Sequence, residues 1–534
     1  MKITFIGADH EVTGSCHYLE VGDKHVLVDY GMEQGINLYE NAPLPVSESM
    51  IDYVFLTHAH VDHSGLLPLL YAKGFRGQIY ATEATSDLAS IMLRDSAHIQ
   101  MSEAEWRNRK AKRAGGEAFE PLYTMEDAES VIRNFVPCKY SSVIEICPEL
   151  SIRFTDVGHL LGSAAIEVWA TEGGVTKKIV FSGDVGNDNQ PLIKNFSTVD
   201  EADYVLVEST YGDRMHTTDR PDYVAELVRI IKETFSKGGN VVIPSFAVGR
   251  TQELLYFMRQ IKQDKLLPEY PDFPVFVDSP LAVEATQVFN KNIYECFDDQ
   301  AMMLVKKGIN PITFPGLNLS VTSDESKAIN FDMKPKVIIS ASGMCEAGRI
   351  RHHLKHNLWR PECTILFVGY QAIGTLGRSL TEGADKVKLF GETIDVKAKI
   401  EILAGLSGHA DKGGLTRWML GFKNEPEMVF VVHGDDEVTD QFATYLHDEH
   451  GFNTYAPYSG TSFDLVKGEF INEESGVRIE GVKKKAKTVS SVFERLLGAG
   501  QRLMTVIAHN EGGANKDLAK FADQINSLCD KWDR

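Results

Sequence analysis

Apolar positions in the first part of the chain come in short β-rich runs broken by glycine and polar turns. Segments 3–6, 17–21 and 24–29 read as strands on their valine, isoleucine and tyrosine content. Segment 51–56 predicts another strand, ending in a loop rich in histidine, and 66–72 predicts a helix. Residues 103–114 carry Arg107, Arg109, Lys110, Lys112 and Arg113 and predict a charged helix with a solvated face. More strands are predicted at 151–155, 164–170, 178–182 and 204–208.

From about Asp213 the pattern changes. Helical stretches at 223–236, 251–261, 349–358 and 375–380 alternate with continuous apolar strands at 240–243, 275–277, 337–340 and 364–368. That alternation is the mark of a parallel α/β unit. Near residue 400 short strands followed by histidine loops return, with strands at 400–405 and 428–432. The simplest account is one α/β domain inserted into another. The expected boundaries are 1–212 for the first part of the outer domain, 213–398 for the insert and 399–480 for the second part. A tail, 481–534, opens with Lys483–Lys485 and Lys487 and reads as helical from 489 to 532.

Composition adds limits. The chain has 534 residues, 43% hydrophobic and 24% charged, as expected for a folded enzyme of several domains. Seventy-five acids against 55 bases give a formal charge of −20, which disfavours loose coating of nucleic acid. The seven cysteines are scattered and never spaced C-x-x-C, so a disulfide framework or zinc knuckle is not expected and a reducing compartment, the cytoplasm, is. The N-terminus reads as a strand rather than a leader, and no run of 18 apolar residues predicts a membrane span.

The chemistry concentrates in Thr57-His58-Ala59-His60-Val61-Asp62-His63, just after an apolar strand. In an extended segment residues 58, 60 and 62 project to one side, and His63 follows at the next turn. Three imidazoles and a carboxylate so closely spaced suit two neighbouring metals, and zinc accepts both ligand types. One loop cannot close two coordination spheres. His159, Asp184 and His433 each follow a strand and sit beside glycine, and together they complete the count.

The order H-x-H-x-D-H, His, Asp, His resembles the metallo-β-lactamase fold, an αββα sandwich. The stretch from Asp203 to Gly212 around Glu208 resembles motif A of the β-CASP nucleases. Ala404-Gly405-Leu406-Ser407-Gly408-His409-Ala410-Asp411 resembles their motif B, and Val431-Val432-His433-Gly434 their motif C. The strings 243–250, 277–282, 342–344, 347–349 and 369–378 also match the family. The likeness runs from about residue 1 to 465 and points to the RNA-cleaving group around the pre-mRNA 3′-end endonuclease and its bacterial and archaeal counterparts.

The resemblance implies two Zn²⁺ per chain, with Mn²⁺ as a substitute. One would be held by His58, His60 and His159 and the other by Asp62, His63 and His433, with Asp184 bridging. Asp29 would orient the ligand loop. A hydroxide activated by two metals would hydrolyse RNA, expected to be single-stranded, and leave 5′-phosphate and 3′-hydroxyl ends. His409, in its Ser-Gly-His turn, is the candidate proton donor and Glu208 its orienting partner. A histidine at position 433 goes in this family with RNA, a valine with DNA. A DNA nuclease, a small-molecule hydrolase of the same fold and a non-catalytic scaffold are the rivals. Cutting within the chain or from its 5′ end is left open.

The insert should form the other wall of the cleft. Residues 341–400 hold nine Lys/Arg against six Asp/Glu. Arg250, Arg349 and Arg378 follow glycine-containing turns and are candidates for phosphate, with domain-interface salt bridges as the even alternative. Ser342, Gly343, Gly374 and His216 are further candidates. Tyr370 and Trp359 read as core. A cleft between two domains that admits a polymer also predicts hinge opening between metal domain and insert. The tail offers a helical arm for dimerisation or partner binding, a simple cap being the alternative.

Overall fold

A computed structural model describes residues 1–35, 37–114, 118–216, 221–372, 374–403, 405–479, 491–510 and 515–532. The β-rich runs at the N-terminus, Lys2–Gly7, Cys16–Val21 and Lys24–Val28, form an antiparallel meander in which Ile3 faces Leu19 and His17 faces Val28. Tyr53–Phe55, Gln78–Thr82 and Phe135–Cys138 extend it in parallel, and Ser462–Asp464 and Glu469–Asn472 close the other edge of an eight-stranded sheet. A second sheet of seven strands is centred on Val175–Phe181, Tyr204–Glu208 and Met428–Val432, which run parallel to one another.

The two sheets pack face to face through Ile3, Phe5, Val26 and Phe55 on one side and Phe154, Ile166, Phe181 and Phe430 on the other. Helices cover both outer faces. Leu67, Leu70 and Leu88 of Leu67–Ala72 and Glu83–Ala114 lie on the first sheet. Leu415, Trp418, Phe442 and Leu446 of Lys412–Met419 and Asp436–His450 lie on the second. Each such fully buried side chain contributes about 1.5–3 kcal/mol. The result is an αββα sandwich.

The insert is a third sheet of six parallel strands, in the order Leu317–Ser320, Val275–Asp278, Val337–Ser340, Val241–Pro244, Thr364–Phe367 and Lys399–Ile402. The central strands VVIP, VIIS and TILF are buried throughout, as strands covered by helices on both faces must be.

Three features depart from the sequence reading. The charged segment 103–114 is the end of one 32-residue helix, Glu83–Ala114, whose first half lacks a strong charge pattern. Strand Gln78–Thr82 before it was not foreseen. Lys399–Ile402, expected to open the second part of the sandwich, is instead the edge strand of the third sheet; Ile400 opposite Ile365 secures it there. The tail, read as helical from 489 to 532, holds two helices among its described residues, Ser491–His509 and Asn515–Trp532. Lys483–Lys485 and Lys487 lie outside the described residues. No helix among the described residues is long and apolar enough to cross a membrane.

Candidate metal centre

Seven loops meet at one edge of the sandwich, most of them because adjacent parallel strands end there together. Asp29 follows Lys24–Val28, and His58 to His63 follow its parallel neighbour Tyr53–Phe55. Asp184, Glu208 and His433 lie at the ends of three adjacent parallel strands. Asp29 and His433 both have positive φ, 61° and 51°, a conformation that side chains of their type adopt more readily than most. Gly183 turns the chain into Asp184 at φ 54°, and a Cβ there would stand 2.8 Å from that of Thr57. The loop carrying His409 is laced to the Asp184 loop: Asn187 N–H donates to Gly408 O (3.1 Å) and Ala410 N–H to Val185 O (2.8 Å).

The ligand loop differs from a purely extended segment. His58 and His60 lie in extended chain, but His60 ends it and Val61–Ser64 is a helical turn. Asp62 and His63 therefore leave the period-two line and face a second group. His58, His60, His159 and Asp184 gather their donor atoms within 4.8 Å of one another, and so do Asp62, His63 and His433. In the first group His58 Nε2 is 3.1 Å and His159 Nε2 3.2 Å from His60 Nδ1, and both Nε2 atoms lie 3.4 Å from Asp184 Oδ2. In the second, His63 Nε2 is 3.1 Å from His433 Nε2, and they approach Asp184 Oδ1 at 3.3 Å and, through His433 Nδ1, 3.6 Å. Asp62 stands 4.0 Å from His433 Nε2 and is the outermost of the seven.

These residues fit zinc. Tetrahedral zinc with ligands at about 2.0–2.1 Å separates neighbouring donor atoms by about 3.3 Å, close to the spacings seen. Asp184 turns one oxygen to each group, and its Oδ1 is buried without a hydrogen bond. The protonation states of the first group suit ligation too. Burial, reinforced by neighbouring imidazoles, holds His58 well below its ordinary value, His60 at about 4 and His159 at about 3, so these rings stay neutral. Burial would raise Asp184, but His433, His63 and His58 hold it well below the carboxylate range. For His63 burial opposes the charge, and Asp184 and Asp29 outweigh it, lifting the ring well above its usual value.

Four of the five rings are fixed from behind. His63 Nδ1 donates to Asp29 Oδ2 at 2.7 Å, and Asp29 also accepts from Thr57 N–H and its hydroxyl, both at 2.8 Å. Asp29 touches no other donor atom of the two groups. His159 Nδ1 donates to Gly408 O at 3.1 Å. His58 Nδ1 lies 3.1 Å from the Thr57 hydroxyl and His433 Nδ1 3.2 Å from that of Thr210. Thr57, Thr210 and the Gly408 carbonyl were not foreseen; hydroxyls and carbonyls are too common in sequence to be singled out.

His409 is placed beside both groups without joining the tight donor sets. Its Nδ1 lies 3.2 Å from both oxygens of buried Glu208, and its Nε2 3.8 Å from Asp184 Oδ2. Burial would lower its pKa, but the charges of Glu208 and then Asp184 raise it to about 9. Glu208 is itself held by Val185 N–H at 2.6 Å.

The insert residues divide. Arg349 pairs with buried Asp278 at 2.7 Å and donates to the Ser320 and Val321 carbonyls. Arg250 pairs with Glu253 and reaches across to Leu406 O at 2.5 Å, tying insert to sandwich. Arg378 pairs with Glu382 at 2.6 Å but keeps a partly exposed side chain. His216 Nε2 donates to His409 O at 3.0 Å. Ser342 lies 3.4 Å from Ala347 O, Gly343 O accepts from Gln371, and Gly374 has φ 86° in open space.

Tyr370 and Trp359 are 62% and 54% exposed, not core as read from sequence. Phe246, in the stretch 243–250, is 47% exposed, and its ring lies against Gly343 and Gly369. Phe246, Ser342 and Tyr370 all follow the carboxyl ends of adjacent strands of the parallel sheet, where open α/β sheets bind ligands.

An αββα sandwich that gathers six imidazole and carboxylate donors around a shared aspartate, faced by an inserted parallel domain, defines a metallo-hydrolase with a second, substrate-facing domain. Sequence comparison is more specific. Family models match as a metallo-beta-lactamase superfamily domain over residues 18–210, a Beta-Casp domain over 251–380 and a Zn-dependent metallo-hydrolase RNA specificity domain over 393–457. The chain belongs to the β-CASP family of metallo-β-lactamase-fold, RNA-processing nucleases. It is 36% identical over 438 residues to Ribonuclease TTHA0252 of Thermus thermophilus, covering 82% of this chain and 94% of that one. It is 30% identical to an RNase J-like protein of Methanocaldococcus jannaschii (86% and 98% covered) and 29% identical to Transcription termination factor FttA of Methanosarcina mazei (85% and 70%).

Proposed function

We propose that this chain is a zinc-dependent ribonuclease that hydrolyses phosphodiester bonds of single-stranded RNA, leaving 5′-phosphate and 3′-hydroxyl ends. The observation that carries the reading is Asp184, with one buried oxygen turned to each of two imidazole groups. His58, His60 and His159 would hold one zinc and Asp62, His63 and His433 the other, with Asp184 between them. Bound zinc would supply Lewis acidity, lowering the pKa of water at the site from 15.7 toward about 7 and neutralising charge on a phosphate oxygen.

The chain supplies the rest. Asp29, Thr57 and the Gly408 carbonyl fix the ring orientations, so the donor atoms need no rearrangement. His409, protonated and braced by Glu208, gives its Nε2 proton to the departing 3′ oxygen. Phe246 and Tyr370 offer exposed rings on which bases can stack, worth about 1–3 kcal/mol per base. Arg378 and the backbone around Ser342, Gly343 and Gly374 remain open to phosphate, while Arg250, Arg349 and His216 serve the architecture around it. The relatives named for ribonuclease activity support RNA as substrate. The test uses RNA labelled at either end and a matched DNA strand, with zinc or manganese and with chelator. Cleavage of RNA alone, abolished by chelator and leaving a 5′-phosphate, is expected. Intact RNA in the presence of zinc, or equal cleavage of DNA, overturns the reading.

A further inference from the structure

The helix Ile350–Asn357 sorts its side chains by period. Ile350, His353, Leu354 and Asn357 are buried, and Ile350 and Leu354 pack with Val242, Ile338 and Ile365 of the insert sheet. The opposite face carries His352 and His356, four residues apart, and Trp359 follows three residues later; all three are exposed. Side chains at such spacing stand in one row.

Two exposed rings join the row from other elements. Phe390, 49% exposed at the turn between Lys386–Leu389 and Glu392–Asp395, stacks on His352 with ring centroids 4.4 Å apart. The Arg351 guanidinium lies 5.4 Å from the centre of the same ring. Phe331, 74% exposed at the end of Ser323–Phe331, stands edge-on to His356 at 6.1 Å. Phe390 has φ 53°, a conformation costly for an aromatic residue, yet its ring lies at the surface.

The row starts near the cleft. Ile350 N–H donates to Ala341 O (3.2 Å), beside Ser342 at the carboxyl end of the sheet. The strands before and after this helix both run parallel to Val241–Pro244, so the helix carries the chain back from that end over the outside of the insert. From His352 to Trp359 the row extends about 10 Å at 1.5 Å per residue.

We propose that this row of rings is a second binding platform, for single-stranded RNA that has left the cleft. The inference rests on RNA being the substrate. Residues 349–360 hold four Lys/Arg and no Asp or Glu within a chain of −20, a local field that attracts a polyanion. Those cations are tied up: Arg349 with Asp278, Lys355 with Glu392 at 2.6 Å and Arg360 with Glu362 at 2.8 Å. Stacking therefore carries the affinity, and it accepts any base because every base has a flat face.

Fluorescence anisotropy on the zinc-loaded His409→Ala chain tests this with two labelled RNAs, one of about 4 nucleotides that fills the cleft alone and one of about 16 that also reaches the row. Phe331→Ala combined with Trp359→Ala should weaken binding of the longer RNA about tenfold or more and leave the shorter one unchanged. Phe331→Tyr with Trp359→Phe keeps both rings and should restore binding, a rescue that loss of two side chains important only for folding would not predict. The salt dependence should not change, because no cation is removed. With 5-iodouridine along the longer RNA, irradiation should crosslink it to peptides holding Phe331 or Trp359. Unchanged binding of the longer RNA by the double alanine variant, or an equal loss for the shorter one, overturns the platform and leaves the ribonuclease reading standing. A chain that binds neither RNA overturns both.

Discussion

His409 keeps its proton because two carboxylates outweigh its burial: Glu208 contacts Nδ1 and Asp184 lies 3.8 Å from Nε2. In the proposed role of proton donor it must be charged, so activity should fall on the alkaline side as pH passes its pKa. That pKa is about 9 in the metal-free chain, and cations beside Asp184 lower it. Glu208→Gln removes the largest raising charge, so the alkaline limb of the pH–rate profile should move to lower pH; an unmoved limb would count against the pair. His409→Ala should keep both zincs by elemental analysis yet lose about 10²–10⁴-fold in single-turnover cleavage. Asp29 stands one step further out, against His63 and, through the Thr57 hydroxyl, His58. Asp29→Ala should weaken zinc binding about 10–100-fold, measured by competition with a chromogenic chelator.

Among the elements, the parallel sheet of the insert decides what its arginines do. Asp278 ends the strand Val275–Asp278 with no exposed side-chain surface and is held by Arg349, by His353 Nε2 at 2.7 Å and by the Ser326 hydroxyl at 2.6 Å. Arg349 is thus needed to pair a buried carboxylate. Arg349→Ala should cost about 1–3 kcal/mol in denaturant unfolding and leave KM for RNA little changed. A large rise in KM with unchanged stability would return Arg349 to the phosphate path. The glycine before Arg349 and the arginine itself were visible in sequence; Asp278, 71 residues away, was not tied to them by any spacing rule.

Over the whole molecule, a formal charge of −20 meets a polyanionic substrate. The positive excess of residues 341–400 is largely spent on pairs, among them Arg349–Asp278, Arg378–Glu382 and Lys355–Glu392. Few phosphates can then be neutralised by free cations. Each contributes a slope of about −0.7 in the logarithm of affinity against that of salt. RNA binding to the zinc-loaded His409→Ala protein should therefore fall with a slope no steeper than about −2. A slope near about −5 would mean an unrecognised basic track. Affinity should come instead from the metal centre and from stacking on exposed rings.

Period and punctuation in the sequence settled the elements: alternating runs gave the sandwich strands, and continuous apolar runs between helical stretches gave the insert. Spacing also exposed the His58–His63 loop, because histidine and aspartate so close together are rare without a purpose. Those signals are local, and chain neighbours carry them. The pairing of Asp184 with both donor groups, the brace of Glu208 on His409, the capture of Arg349 by Asp278 and the place of Lys399–Ile402 in the third sheet join residues far apart in the chain. Such contacts depend on which strands end side by side and on what burial demands of each charge, so only the tertiary structure could decide them.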